Sequence, residues 1–291
     1  MNVTFVEIKE DIPEYAGFFG TWVCKGSVNA LVDVGPANSA ERLIESLKEM
    51  GLARLDYVFL THIHIDHMGA LADLLDHYPM AKVICHEKAV KYLVDPSQLW
   101  VSSLKALGKT AKAYGKPKPI RREKVIPHPE NDLKALVIID TPGHAPHHLS
   151  FSYGNRLYVG DAVGNYFVIN GREYIRPGTP PRFLFDVSLK SVDRLMTLDN
   201  QPICYAHFGE AESSHRLLKV YRDQMILWKE IIYDQILMGD KDIIKRCVDA
   251  LFRKDLNLTA FNEMSSYAQK REMDMMVGSI KGFIGFFKGN H

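Results

Sequence analysis

The residues most able to do chemistry lie between Thr61 and Gly69, which read Thr-His-Ile-His-Ile-Asp-His-Met-Gly. Imidazole nitrogen and carboxylate oxygen are good ligands for zinc and acceptable ones for iron or manganese. Four such groups, His62, His64, Asp66 and His67, fall within six residues, which suits two adjacent cations better than one. Without a cation, a buried run of this kind would carry several unpaired polar groups.

The elements that must position these groups can be read around them. Tyr57 to Leu60 is a short apolar strand, so the motif sits at a strand's end. Alternation in an extended segment sends His62, His64 and Asp66 to one side and Ile63 and Ile65 into apolar packing. A helical pattern begins at Met68 and runs to Tyr78, which puts Asp66 and His67 near a helix N-terminus. Further candidates stand at other strand ends. Leu136 to Ile139 leads through a Pro-Gly turn to His144. A hairpin about Gly154-Asn155 leads to Asp161, 17 residues after His144, and Pro202 to Tyr205 leads to His207. Asp33, closing the strand Ala30 to Val34, is either a turn residue or an acid that orients a ligand. Adjacent residues point apart, so His147 and His148 are read as supporting or packing groups, with His147 assigned to support the ligands.

Residues Val3 to Ile8 and Gly17 to Val23 are further strands, and Ser39 to Met50 is an amphipathic helix. His86, with no neighbouring ligand, reads as packed or solvated. Residues 164–186 read as a Gly-, Pro- and Arg-rich loop overhanging the site, with Tyr166, Phe167 and Arg176 as candidate substrate contacts. Lys88 to Gly115 is mostly helical, and from Lys105 to Lys124 eight basic residues face Glu123 alone. Lys105, Lys109, Lys112 and Lys116 form a helical stripe, either a solvated face or a guide for an anionic substrate. Strand signals stop at about residue 210. Residues 1–210 are therefore expected to form a catalytic domain and residues 211–291 a helical region, serving as substrate wall or dimer contact.

Composition is that of an ordinary globular protein, with 46% hydrophobic and 24% charged residues and a net charge of +1. This balance makes no case for a nucleic-acid-binding chain. No secretory signal and no run of about 18 apolar residues is evident, so the expected compartment is the cytoplasm, without a membrane partner. Cys24, Cys85, Cys204 and Cys247 are far apart and read as free and buried.

The series His62-x-His64-x-Asp66-His67, His144, Asp161 and His207 resembles that of the metallo-β-lactamase superfamily across about 210 residues. That resemblance implies a four-layer αββα sandwich with two divalent metal ions, zinc by default, at one edge of the paired sheets. His62, His64 and His144 would hold the first ion, Asp66, His67 and His207 the second, and Asp161 would bridge them. Two divalent ions, two carboxylates and a bridging hydroxide leave a positive core, able to generate hydroxide near neutral pH and to stabilise a tetrahedral intermediate. Asp66 is the natural proton acceptor or orienter for that hydroxide. Asp161 stands where the best known β-lactamases of this superfamily place a cysteine, which disfavours β-lactam hydrolysis.

The helical C-terminal region is similar to that of glyoxalase II, the hydroxyacylglutathione thioesterase, although Ala162-Val163-Gly164-Asn165 differs from that family's Cys-Gly-Arg stretch. The expected activity is hydrolysis of a small ester or thioester. Lactonases are an alternative; RNA-processing phosphodiesterases and single-iron sulfur dioxygenases are more distant ones.

Overall fold

The computed structural model of the chain describes residues 1–131, 133–180 and 182–289. In chain order its regular elements are β1 (Asn2–Glu7), β2 (Gly20–Lys25), β3 (Ala30–Val32), α1 (Ala40–Glu49), β4 (Tyr57–Phe59), α2 (Ile65–Met68), α3 (Leu71–His77) and β5 (Lys82–His86). Then come α4 (Val90–Val94), α5 (Ser97–Leu107), α6 (Lys109–Tyr114), β6 (Val125–His128), β7 (Val137–Asp140), β8 (Leu149–Tyr153), β9 (Arg156–Tyr158), β10 (Asn165–Ile169) and β11 (Arg172–Arg176). Helix α7 (Phe185–Leu195), β12 (Ile203–Cys204), β13 (Glu210–Ala211), α8 (Ser214–Leu237), α9 (Ile243–Lys254) and α10 (Ser266–Phe287) complete the fold.

Two sheets form the centre. One has the order β1-β2-β3-β4-β5-β6, the other β13-β12-β9-β8-β7. Side-chain alternation explains how they face each other. Trp22, Cys24, Ala30, Val32, Phe59 and Ile84 from the first sheet meet Leu149, Phe151, Tyr153, Tyr158 and Cys204 from the second in one apolar cluster. The alternate positions Val23, Leu31, Val58 and Val83 turn outward into a larger core with Leu43, Leu47, Leu71 and Leu74 of the helices. The indole of Trp22 ties the sheets together by donating to Tyr205 O at 2.8 Å.

Strands β3 to β6 run parallel, and β9 runs parallel to β12. Asp33 and the Thr61 motif thus leave neighbouring strands at one edge, and Asp161 and His207 leave the two paralleled strands of the other sheet.

Four details depart from the sequence reading. Strand β6 was not anticipated, because Pro127 interrupts its apolar pattern; it lies at the sheet's edge, where a missing N–H is tolerated. Residues 164–186 are largely not a loop, since β10 and β11 pair as a hairpin about Asn170-Gly171, both at positive φ as a tight hairpin turn requires. The helical pattern after the motif breaks between α2 and α3, and the basic segment is divided between α5, α6 and an extended stretch. Apart from these departures, Met276 and Phe283 of α10 are buried in the core, and α10 contacts α8 and α9. Among the described residues no helix is long and apolar enough to cross a membrane.

Candidate metal centre

Seven side chains meet at the shared edge in two groups. His62, His64, His144 and Asp161 form one; Asp66, His67 and His207 form the other, and within each the donor atoms lie within 4.8 Å of one another. His64 Nδ1 is 2.9 Å from both His62 Nε2 and His144 Nε2. The Asp161 carboxylate faces both groups, with Oδ2 at 3.4 Å from His144 Nε2 and 3.5 Å from His67 Nε2, and Oδ1 at 3.4 Å from His207 Nε2. Asp66 Oδ2 lies 3.8 Å from His207 Nε2. The division arises because alternation holds only as far as His64. Residue 65 begins α2, so Asp66 and His67 project from a helical turn rather than from the extended segment, although the His67 ring still lies against His62 with centroids 4.1 Å apart.

Hydrogen bonds behind the rings decide which nitrogen faces inward. His67 Nδ1 donates to Asp33 Oδ2 at 2.9 Å, and the same carboxylate accepts from Thr61 N and Thr61 Oγ1, each at 2.8 Å. Thr61 Oγ1 in turn accepts from His62 Nδ1 at 3.0 Å. His144 Nδ1 donates to Gly178 O at 2.9 Å. Each of these three histidines therefore turns Nε2, the nitrogen a cation would take, toward the common gap. Asp33 sits at φ 55°, a backbone state uncommon outside glycine, asparagine and aspartate, and its carbonyl is held by Thr21 Oγ1 at 2.7 Å. It is thus both the turn residue and the acid behind His67.

Electrostatics agree with a cation-binding gap. Burial, followed by the neighbouring imidazoles, holds His62 and His64 well below the ordinary histidine range and hence neutral. Burial alone would raise Asp161, but His207, His67 and His144 outweigh it and keep the carboxylate ionised. For His67 burial opposes the charge, yet Asp161, Asp33 and Asp66 together lift it well above its usual value. The buried atoms His67 Nε2 and Asp161 Oδ1 have no hydrogen-bond partner. Two borderline divalent cations fit this donor set, because they would satisfy both orphaned atoms and more than offset the two carboxylates.

Some assigned roles move to other residues. The supporting position given to His147 belongs to its neighbour. His148 accepts from Asp161 N at 3.2 Å through Nε2, and its Nδ1 donates to Thr141 Oγ1 at 2.8 Å. The alternation of β8 carries the signal: Leu149, Phe151 and Tyr153 face the inter-sheet core, so His148 lies with Ser150 on the other face. His147 Nδ1 is buried without a partner, and burial followed by the nearby His86 pushes this residue down to about 4. His86 itself approaches Asp140 at 3.7 Å, outside both groups.

The three proposed substrate contacts are closed off. Tyr166 stacks on Tyr205 and donates to Glu173 Oε1 at 2.8 Å, Phe167 is buried against Phe18 and Tyr174, and Arg176 is ion-paired to Glu272 at 2.5 Å. Phe18, which sequence reasoning did not single out, stacks on His207 with centroids 4.3 Å apart and planes at 10°. No local pattern marks it, since its partner is 189 positions away.

A sequence profile of the metallo-beta-lactamase superfamily matches residues 21–207. The metallo-beta-lactamase fold-containing protein ST1585 of Sulfurisphaera tokodaii is 33% identical over 230 residues, covering 76% of this chain and 82% of its own. With these matches, the chain belongs to the metallo-β-lactamase superfamily. The hydroxyacylglutathione hydrolase of Cupriavidus taiwanensis is 27% identical over 215 residues, 72% of this chain and 70% of that one. The crystal structure of ST1585 from Sulfolobus tokodaii shares the fold with a TM-score of 0.69 at 24% identity, over 97% of this chain and 98% of that chain. The fold is therefore that of the superfamily, with α8, α9 and α10 added at the C-terminus.

Proposed function

We propose that this chain is a dinuclear metal hydrolase acting on a small ester or thioester, with a thioester as the favoured substrate and zinc as the favoured metal. The observation that carries the reading is the convergence of seven donors into two groups with the Asp161 carboxylate facing both. Two divalent ions held by His62, His64 and His144 and by Asp66, His67 and His207 would supply hydroxide near neutral pH and electrophilic stabilisation of an oxyanion. The chain's own part is to hold that geometry: Asp33, Thr61 and Gly178 fix the rings, and Asp66, at the partly open mouth, accepts or returns a proton.

Similarity to the hydroxyacylglutathione hydrolase of Cupriavidus taiwanensis favours a thioester. Helices α5 and α6 pack against α2, the turn carrying Asp66 and His67, and their Lys105, Lys109 and Lys112 are exposed, which suits an anionic carrier group.

Elemental analysis of protein purified without added metal should give about two ions per chain, as a two-metal site requires. A panel of acyl thioesters should then release thiol at a rate that Asp66→Ala abolishes. Unchanged turnover in that variant would remove the role given to Asp66, and a single iron per chain would replace hydrolysis with dioxygenase chemistry.

A further inference from the structure

We propose that Glu272, on the C-terminal helix α10, is a positioning residue for two of the metal ligands, holding His207 through Arg271 and Phe18 and His144 through Arg176 and Gly178. The proposal rests on the two-metal reading above and extends it to a helix outside the superfamily match.

His207 differs from His62, His67 and His144 in how it is held. Its Nδ1 is buried and has no hydrogen-bond partner, so no acceptor fixes the ring from behind. Aromatic packing does so instead: Phe18 stacks on it, and Phe19 meets it edge-on at 5.9 Å. The Arg271 guanidinium lies 4.3 Å from the centroid of the same Phe18 ring. Arg271 is itself anchored, with Nε donating to Glu272 Oε1 at 3.1 Å and Nη1 to Glu14 O at 3.0 Å.

The other oxygen of Glu272 leads to the first metal group. Oε2 accepts from Arg176 Nε at 2.5 Å, and Arg176 Nη1 donates to Pro177 O at 3.2 Å. Pro177 O also accepts from Ser279 Oγ of α10 at 2.8 Å, while Thr179 Oγ1 donates to Ser279 O at 2.9 Å. Between these pinned residues lies Gly178, whose carbonyl accepts from His144 Nδ1. Helix and segment touch closely: a Cβ added at Gly282 would stand 2.6 Å from both Pro180 O and Thr179 Oγ1. Glu272 is 0% exposed and Arg176 1% exposed. A buried ion triad is weak evidence for stability, since apolar residues of like volume stabilise as well or better. What this triad adds is a defined position for two chain segments, one stacking on His207 through Phe18 and the other accepting from His144 through Gly178.

The test is stepwise zinc binding to the metal-stripped full chain, read by competition with a chromophoric chelator, together with the visible spectrum of the cobalt-substituted protein. Glu272→Gln keeps the shape and removes the charge. It is expected to weaken both dissociation constants by up to about 10-fold, the lower end of the range seen when a group bonded directly to a ligand is lost. Phe18→Leu keeps an apolar side chain and leaves the triad intact; it should weaken one constant about 10-fold and alter the cobalt spectrum, leaving the other constant unchanged. A merely structural role would lower the thermal midpoint of the metal-free protein without moving either constant, and that result in Glu272→Gln overturns the proposal. If Glu272→Gln does not fold, Phe18→Leu tests the path through which Glu272 would act on His207, and two unchanged constants overturn the proposal. Wild-type protein that binds fewer than two ions removes the two-metal reading itself, and the proposal with it.

Discussion

Asp33→Asn isolates the carboxylate behind the candidate metal centre with the least change in volume. Asp33 accepts three hydrogen bonds, from Thr61 N, Thr61 Oγ1 and His67 Nδ1, at 2.8 to 2.9 Å. An amide offers one acceptor oxygen and one donating nitrogen. If its nitrogen faces Thr61 N, two donors oppose each other in a buried site, at a cost of about 1–3 kcal/mol. If it faces His67 instead, Nδ1 must become the acceptor, Nε2 takes the proton, and the ring loses the lone pair that would bind a cation. Either arrangement weakens the Asp66, His67 and His207 group, by about 10- to 100-fold in affinity, or roughly 1.4–2.7 kcal/mol. Thr61 also supports His62, so a smaller loss is expected at the other group. Chelator competition on the metal-free variant measures both constants, and urea unfolding measures the cost to the fold. Wild-type affinity at both sites, with the unfolding midpoint unchanged, would refute the account of Asp33 as the acid that sets the His67 tautomer.

Gly160→Ala places a Cβ 2.7 Å from His148 Nε2 and 2.8 Å from Thr61 Oγ1, at a φ of +50°. Left-handed strain and overpacking together should destabilise the fold by about 2–4 kcal/mol, and an unaltered urea midpoint would show the loop to be less constrained than this. His147 is held neutral, at about 4 against an ordinary 6.5, so the unfolded state binds more protons between those values. Its contribution is fully present above pH 6.5 and is lost as pH falls toward 4, amounting to about 3 kcal/mol. Unfolding free energies of His147→Asn should thus fall less steeply between pH 7 and 4.5, and a slope equal to wild type counts against this assignment. Tyr166→Phe removes a hydroxyl bonded to Glu173, which Arg216 also holds at 2.5 and 2.7 Å. It should cost about 1 kcal/mol of stability and leave kcat/KM for thioesters intact; a loss beyond tenfold would return Tyr166 to the substrate site.

What the sequence determined by itself was local: a ligand series whose chemistry has few other uses, and apolar strands immediately before His62, His144, Asp161 and His207. Each of these candidate donors follows its strand's end by three or four residues, so the candidate set and its order along the chain could be read without coordinates. Tertiary structure decided how they are grouped and supported. The turn at residue 65 divides Asp66 and His67 from His62 and His64, the pleat of β8 selects His148 over His147, and edge placement admits Pro127 to a strand. Tyr166, Phe167 and Arg176 looked available in a polar, Pro-rich stretch, but a hairpin buries them against Tyr205, Phe18 and Glu272. The contact between Phe18 and His207 has no counterpart in local pattern either. Propensity and spacing act over a few residues, whereas packing joins side chains separated by most of the chain, and only the closed fold brings those partners within a few ångströms.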